Sequence, residues 1–208
     1  MGYGIEEWKS RIAQRSDFTT SLVHLTRDAA TDSALDVLIK ILSDKKLVGS
    51  TTASGFIVGS TPAVCLQESP IYSLAQNIYT EQSYRKQNPS AKKRYLGVGL
   101  QFAKAEVFLK GGRPVIYERT ATAKAFLPPD EWWRIVNFDL TTSSAIVDWS
   151  HEREWRVPNE LSFELNQVAV LLPNSKTYHR FVKRCLAMSR PDFLTDTRGI
   201  VQLSSVFY

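Results

Sequence analysis

Residues 146–158 read IVDWSHEREWRVP and place two glutamates, Glu152 and Glu154, two positions apart in a segment fit to be a strand. With period 2, Glu152, Glu154 and Arg156 project to one side, and Arg153, Trp155 and Val157 to the other. One face is then charged and the other largely apolar. Successive same-side residues on a strand lie about 7 Å apart, close enough for two carboxylates to act on one small molecule and too far for them to share a proton. A half-buried strand with a solvated edge carries the same letters. The second group with chemical potential is His24 and Thr26 in SLVHLT, residues 21–26. Both fall on the strand face of Leu22, while Val23 and Leu25 face the other way, so two hydrogen-bonding side chains stand about 7 Å apart. A structural histidine satisfied inside the fold also fits. His151 just precedes the glutamate pair, and His179 lies in a basic helical stretch.

Several common sites are missing from the letters. There is no GxGxxG, GxxxxGK[ST] or HExxH, and no cysteine pair, which argues against a Rossmann cofactor site, a P-loop and the usual zinc sites. Gly111-Gly112 reads as a helix stop rather than a phosphate cradle. The two cysteines, Cys65 and Cys185, stand among apolar neighbours as buried thiols do, which suits a reducing compartment.

The elements that must position these groups mix strand and helix. SLVHLT alternates as a short strand. Residues 31–47 then place Leu35, Leu38, Ile39 and Leu42 at helical spacing behind an Asp32 or Ser33 cap, with Lys45 and Lys46 at the end that favours cations. GFIVGS (55–60) and AVCLQ (63–67) read as β pieces, and PIYSLAQNIY (70–79) as a helix with Pro70 in its first turn. The polar, basic run TEQSYRKQNPSAKKR (80–94) reads as an exposed connection. YLGVGLQF (95–102) and RPVIYE (113–118) read as strands around a short helix, AKAEVFLK (103–110), and QVAVLLP (167–173) as a short buried strand. A final helix in residues 174–188 carries Tyr178, Phe181, Val182, Cys185 and Leu186 on one face and turns Arg180, Lys183 and Arg184 outward. No regular βαβ rhythm and no repeat is visible, so the fold class is α+β. The expected division is an N-terminal helical extension over 1–20 and one domain over 21–208.

Taken in order, the His-x-Thr strand, the helix, VCLQESP, GVGLQFAKAEVFLKGGRPVIY and the late Glu-x-Glu strand resemble the ADP-ribosyltransferase superfamily. The resemblance is to DarT-type nucleic-acid ADP-ribosyltransferases and to the AbiGi-like abortive-infection domains of bacterial phage defence, and it covers residues 22–173. It implies a central split sheet, mixed or antiparallel, with flanking helices, and NAD as substrate with no metal. It implies that His24 and Thr26 hold the NAD ribose and nicotinamide amide, that Glu154 is the catalytic glutamate and that Glu152 occupies the Gln or Glu position before it. Tyr72 or Tyr117 would stack on the nicotinamide ring. Arg85, Arg94 and Arg113 stand as unranked candidates for the family's arginine contact to NAD, and CLQESP shows no obvious catalytic side chain. A single nicotinamide riboside would have to touch both the His24 strand and the Glu154 strand.

The chemistry explains why carboxylates belong there. Loss of nicotinamide builds positive charge on the ribose, and a carboxylate that bonds the ribose hydroxyl stabilises that state more than the ground state. Glu154 takes this role, and Glu152 orients or deprotonates the acceptor.

The 208 residues carry a net charge of +5, which suits an acidic partner such as nucleic acid. Arg85, Lys86, Lys92, Lys93 and Arg94 in the basic run, with the basic final helix, would supply phosphate contacts. The N-terminus has no apolar core of signal-peptide length and no run is long enough to span a bilayer, so a cytoplasmic protein without membrane contact is expected. An antitoxin or sensor protein is a further expected partner. Two alternatives stay open: a catalytically inactive domain of the same fold that binds a nucleotide or a partner protein, and a nuclease whose Glu152 and Glu154 hold a metal ion. Dependence on a divalent cation separates the second from transfer chemistry.

Overall fold

The computed structural model describes residues 2–91, 95–142 and 146–206. In chain order its first half holds α1 (Ile5–Ala13), β1 (Ser21–Leu25), α2 (Ala34–Asp44), β2 (Lys46–Val48), β3 (Ala63–Gln67), α3 (Ile71–Gln87) and β4 (Gly99–Ala103). Next come α4 (Lys104–Leu109), β5 (Arg113–Pro114), β6 (Ile116–Glu118), α5 (Thr120–Phe126) and β7 (Ile135–Asn137). The remainder holds β8 (Glu154–Pro158), β9 (Glu160–Ser162), β10 (Val168–Leu172), α6 (Ser175–Ala187), α7 (Asp192–Thr195) and β11 (Gly199–Gln202). The chain packs as two compact units, the first of Met1–Lys45, Ser69–Ala103 and Phe163–Tyr208, the second of Lys46–Glu68 and Lys104–Ser162.

In the first unit, strands pair in the order β11-β10-β4-β1. His24 lies opposite Leu100 on antiparallel β4, Leu100 opposite Val170 on antiparallel β10, and Val170 opposite Ile200 on parallel β11. The parallel pair needs a crossover, which α6 and α7 supply. Leu22 and Val23 on successive positions of β1 are both fully buried, so both faces of this strand are covered. Leu74, Ala75 and Ile78, at helical spacing on α3, join Val23, Leu171 and Leu203 in one core cluster. The α2 expectation holds: Leu35, Leu38, Ile39 and Leu42 are buried behind Ser33, which forms a capping box with Asp36.

Two helical expectations need correction. The run 80–94 is no loop at its start, because α3 continues to Gln87. Glu81, Gln82, Arg85, Lys86 and Gln87 are good helix formers, and the helix ends only at Asn88, next to the Pro89 that disfavours helical backbone before it. On α6, Phe181 and Cys185 are buried, but Leu186 is 58% exposed, one step around the helix from the Phe181–Cys185 stripe.

In the second unit, strands pair in the order β3-β8-β5, both pairs antiparallel. Antiparallel β2–β9 and parallel β6–β7 complete it, with Tyr117 opposite Val136. Ile57, Ala63 and Trp133 form a core cluster with Cys65 packed against it. Residues 55–60, expected as a β piece, are irregular: Gly55 and Gly59 have φ of 77° and 86°, which breaks extended backbone although Ile57 is buried. RPVIYE divides into β5 and β6 around Val115, whose N–H donates to the Glu154 carbonyl. Both units mix helices with strands, and parallel with antiparallel pairs, so the chain is α+β with mixed sheets and flanking helices.

Candidate active site

The strand that carries the glutamates is shorter than its letters suggest. Ser150–Glu152 form one 3-10 turn, Arg153 adopts φ 44°, and β8 begins only at Glu154. Glu152 is therefore off the strand, and the period-2 placement of Glu152 beside Glu154 on one extended face does not hold. The reading as a solvated strand edge does not hold for the charged face either. Glu154 is 8% exposed and Arg156 2%.

Burial of two charges in a fold demands that each be paired and bonded. Arg156 Nε donates to Glu154 Oε1 at 2.7 Å, and Nη2 to Glu154 Oε2 at 3.4 Å. Nη1 donates to the carbonyls of Trp133 (2.7 Å) and Ile135 (3.0 Å), and Nη2 to that of Phe56 (3.2 Å). Five N–H groups meet five acceptors, the full capacity of a guanidinium. Arg156 thus ties β8 to the segments around residues 56 and 133–135 and holds the Glu154 carboxylate in place.

Tyr117 reaches the same point from β6. Its hydroxyl accepts the Glu154 N–H at 2.8 Å. Burial pushes the Tyr117 phenol up to about 12 against the lowering effect of that amide, and the negative charges of Glu154 and Glu152 push it the same way. Glu152 is half-buried. The structure therefore brings Glu152, Glu154 and Tyr117 together within the second unit. Tyr117 also lines an open depression of about 420 Å³ with Arg119, Phe138, Asp139, Leu140 and Thr141.

The segment CLQESP, which shows no catalytic signal as letters, supplies the other neighbours. Cys65 lies opposite Arg156 and Gln67 opposite Glu154 across β3 and β8. Burial raises the Cys65 thiol to about 12, and the Glu154 charge adds to it. Glu68 accepts from Lys104 Nζ at 2.6 Å and from Trp155 Nε1 at 2.9 Å. Cys65, Gln67, Glu68, Lys104 and Arg156 are absent from the sequence-based site. Their alternation in VCLQ and EWR was the available signal, but it needed the β3–β8 register to become a contact.

The remaining candidates lie in other settings. Thr26 is 4% exposed, and its hydroxyl is engaged with the carbonyls of Ala34 (2.9 Å) and Val98 (3.1 Å) in the first unit. His24 is half-buried on β1, and Tyr72 is exposed in the first turn of α3. Arg113 donates to the carbonyls of Phe108 and Gly112 and stacks on the Phe108 ring at 4.0 Å. Arg85 sits in the last turn of α3 with its Nε buried and without an acceptor among the described residues, beside the exposed Lys86. Lys92, Lys93 and Arg94 lie outside the described residues. His151 and His179 are exposed. Among the described residues, no three His, Cys, Asp or Glu side chains are grouped to hold a metal ion.

Comparison with protein-family models, with curated proteins and with solved structures finds no match to this chain.

Proposed function

We propose that the chain is an enzyme of ADP-ribosyltransferase type, built on that superfamily's split sheet, which cleaves NAD and transfers ADP-ribose to a macromolecule, with nucleic acid as acceptor, in bacterial phage defence or as a toxin. The observation that carries the reading is the buried Glu154 carboxylate at the start of β8, held by Arg156 next to the Tyr117 hydroxyl that accepts the Glu154 N–H, with Glu152 on the turn that leads into the strand. In the reaction, the bond between ribose and nicotinamide breaks, nicotinamide leaves with the bonding electrons, and positive charge develops on the ribose. Carboxylates at fixed positions in a partly buried site favour that charge over the ground state. Arg156 shares the charge of Glu154, so Glu154 contributes position and field. Glu152, half-buried and on the turn, is the carboxylate that meets the acceptor and takes its proton as the new bond to ribose forms.

The test replaces Glu152 by Gln and follows nicotinamide release and labelled ADP-ribose incorporation in parallel. Transfer should fall about 100-fold, the scale of removing one positioned acid–base group. Gln keeps the size and most of the hydrogen-bonding capacity of Glu, and melting is recorded in parallel so that lost folding is not mistaken for lost chemistry. Wild-type transfer rates in Glu152→Gln would refute the assignment. A second reading, a non-catalytic domain of the same fold, is favoured by a specific observation: Glu154 is engaged with Arg156, and Thr26 with two backbone carbonyls. Wild-type protein that binds NAD without releasing nicotinamide in cell extract would select it.

A further inference from the structure

Gln67 is the one residue of CLQESP left with an unmet bond next to the carboxylates. It lies directly opposite Glu154 in the β3–β8 register. The N–H and C=O of Glu154 both turn the other way, to Tyr117 and Val115, so Gln67 and Glu154 form a non-hydrogen-bonded pair. In such pairs the Cα atoms approach to about 4.5 Å and the side chains are close neighbours on one face. Gln67 Oε1 is buried and has no partner among the described residues. Glu154 Oε2 is held by Arg156 at 3.4 Å, a long contact that leaves lone-pair capacity. Two acceptor side chains thus stand as neighbours on one face of the β3–β8 pair. Buried polar atoms are almost always bonded, and an orphan points to a partner from outside the chain.

We infer that Gln67 is a ligand-binding residue whose amide oxygen, beside the Glu154 carboxylate, accepts the hydrogen of a ribose hydroxyl. The inference rests on the NAD reading above and adds a second acceptor to the proposed site. Gln67 is half-buried, and its last side-chain torsion has a broad minimum, so the amide turns toward an arriving hydroxyl without backbone movement. The orphan oxygen is then a cost to the empty protein that the ligand removes.

The experiment compares wild type with Gln67→Met, close to isosteric and without the amide, and with Gln67→Leu should the first fail to fold. Calorimetric titration uses NAD and its analogue lacking the 2′-hydroxyl on the nicotinamide ribose, and melting is recorded without ligand. The expected result is a loss of about 10-fold in NAD affinity, the scale of one hydrogen bond left unmade. That loss should shrink toward none with the deoxy analogue, as in a double-mutant cycle. Without ligand the melting temperature should rise by about 2–4 °C as the orphan acceptor disappears. Unchanged NAD affinity in Gln67→Met, or an equal loss with both nucleotides, would overturn the role of Gln67 while leaving the NAD reading intact. A fall in melting temperature would also overturn it, by showing that the amide already bonds within the fold, with its nitrogen turned to Glu154. Wild-type protein that binds neither nucleotide would overturn the inference and the NAD reading together.

Discussion

Arg156 satisfies all five of its N–H groups inside the second unit, two of them with Glu154. Removing either partner leaves the other charge buried without compensation, at a cost of about 3–5 kcal/mol, whereas removing both together is far milder. Glu154→Leu and Arg156→Met should therefore each lower the urea midpoint strongly, and the double variant should lose less than the sum of the two. Additive losses would show that the pair is not coupled. For the same reason a loss of activity in a Glu154 variant is uninformative until its stability has been measured. Glu152, half-buried on the turn before β8 and outside the Arg156 pair, allows the cleaner assay.

Glycine has a steric role at one strand position. A Cβ on Gly99 would run into the His24 carbonyl oxygen and lie about 3.0 Å from Leu25 Cα. Gly99→Ala should force β1 from β4 and cost about 1–3 kcal/mol or more. Gly55→Ala, where a Cβ meets open space but φ is 77°, should cost only about 1 kcal/mol. Equal midpoint shifts in the two variants would contradict this account. The same distinction explains what the letters revealed about the elements. Helix α2 was legible because Ser33, Asp36 and the leucine spacing are local signals. The extent of α3 was not, because an exposed helical face and a polar loop share a composition. The Glu-x-Glu spacing was visible, but period-2 counting assumes every residue is extended, and Arg153 at φ 44° breaks that assumption invisibly. The partners of Arg156, at residues 56, 133 and 135, are remote in sequence, so its burial could not be read from residues 146–158.

At the scale of the whole molecule the charge is +5, and part of that excess is concentrated on one helix. Lys176, Arg180, Lys183 and Arg184 are all basic, α6 holds no Asp or Glu, and Lys176, Arg180 and Lys183 are exposed. Arg184 differs, since it pairs with Asp36 at 2.6 Å. A solvated helical face could carry these charges without any partner, so the discriminating quantity is the response to salt. If α6 contacts a nucleic-acid backbone, each neutralised phosphate releases counterions, and log K falls with log salt concentration by about 0.7–0.9 per contact. Replacing Lys176, Arg180 and Lys183 together by Ala should then weaken binding to all sequences alike and flatten that slope by up to about 2–3. Because these side chains are exposed, the melting temperature should stay close to that of wild type. Arg184→Ala is the internal contrast: it removes an ion pair to α2 and should change the slope by less than any one of the other three. Binding that ignores salt, or a triple variant with the wild-type slope, would remove α6 from the interface, and no binding to single- or double-stranded DNA or RNA would shift the proposed acceptor to a protein or a small molecule.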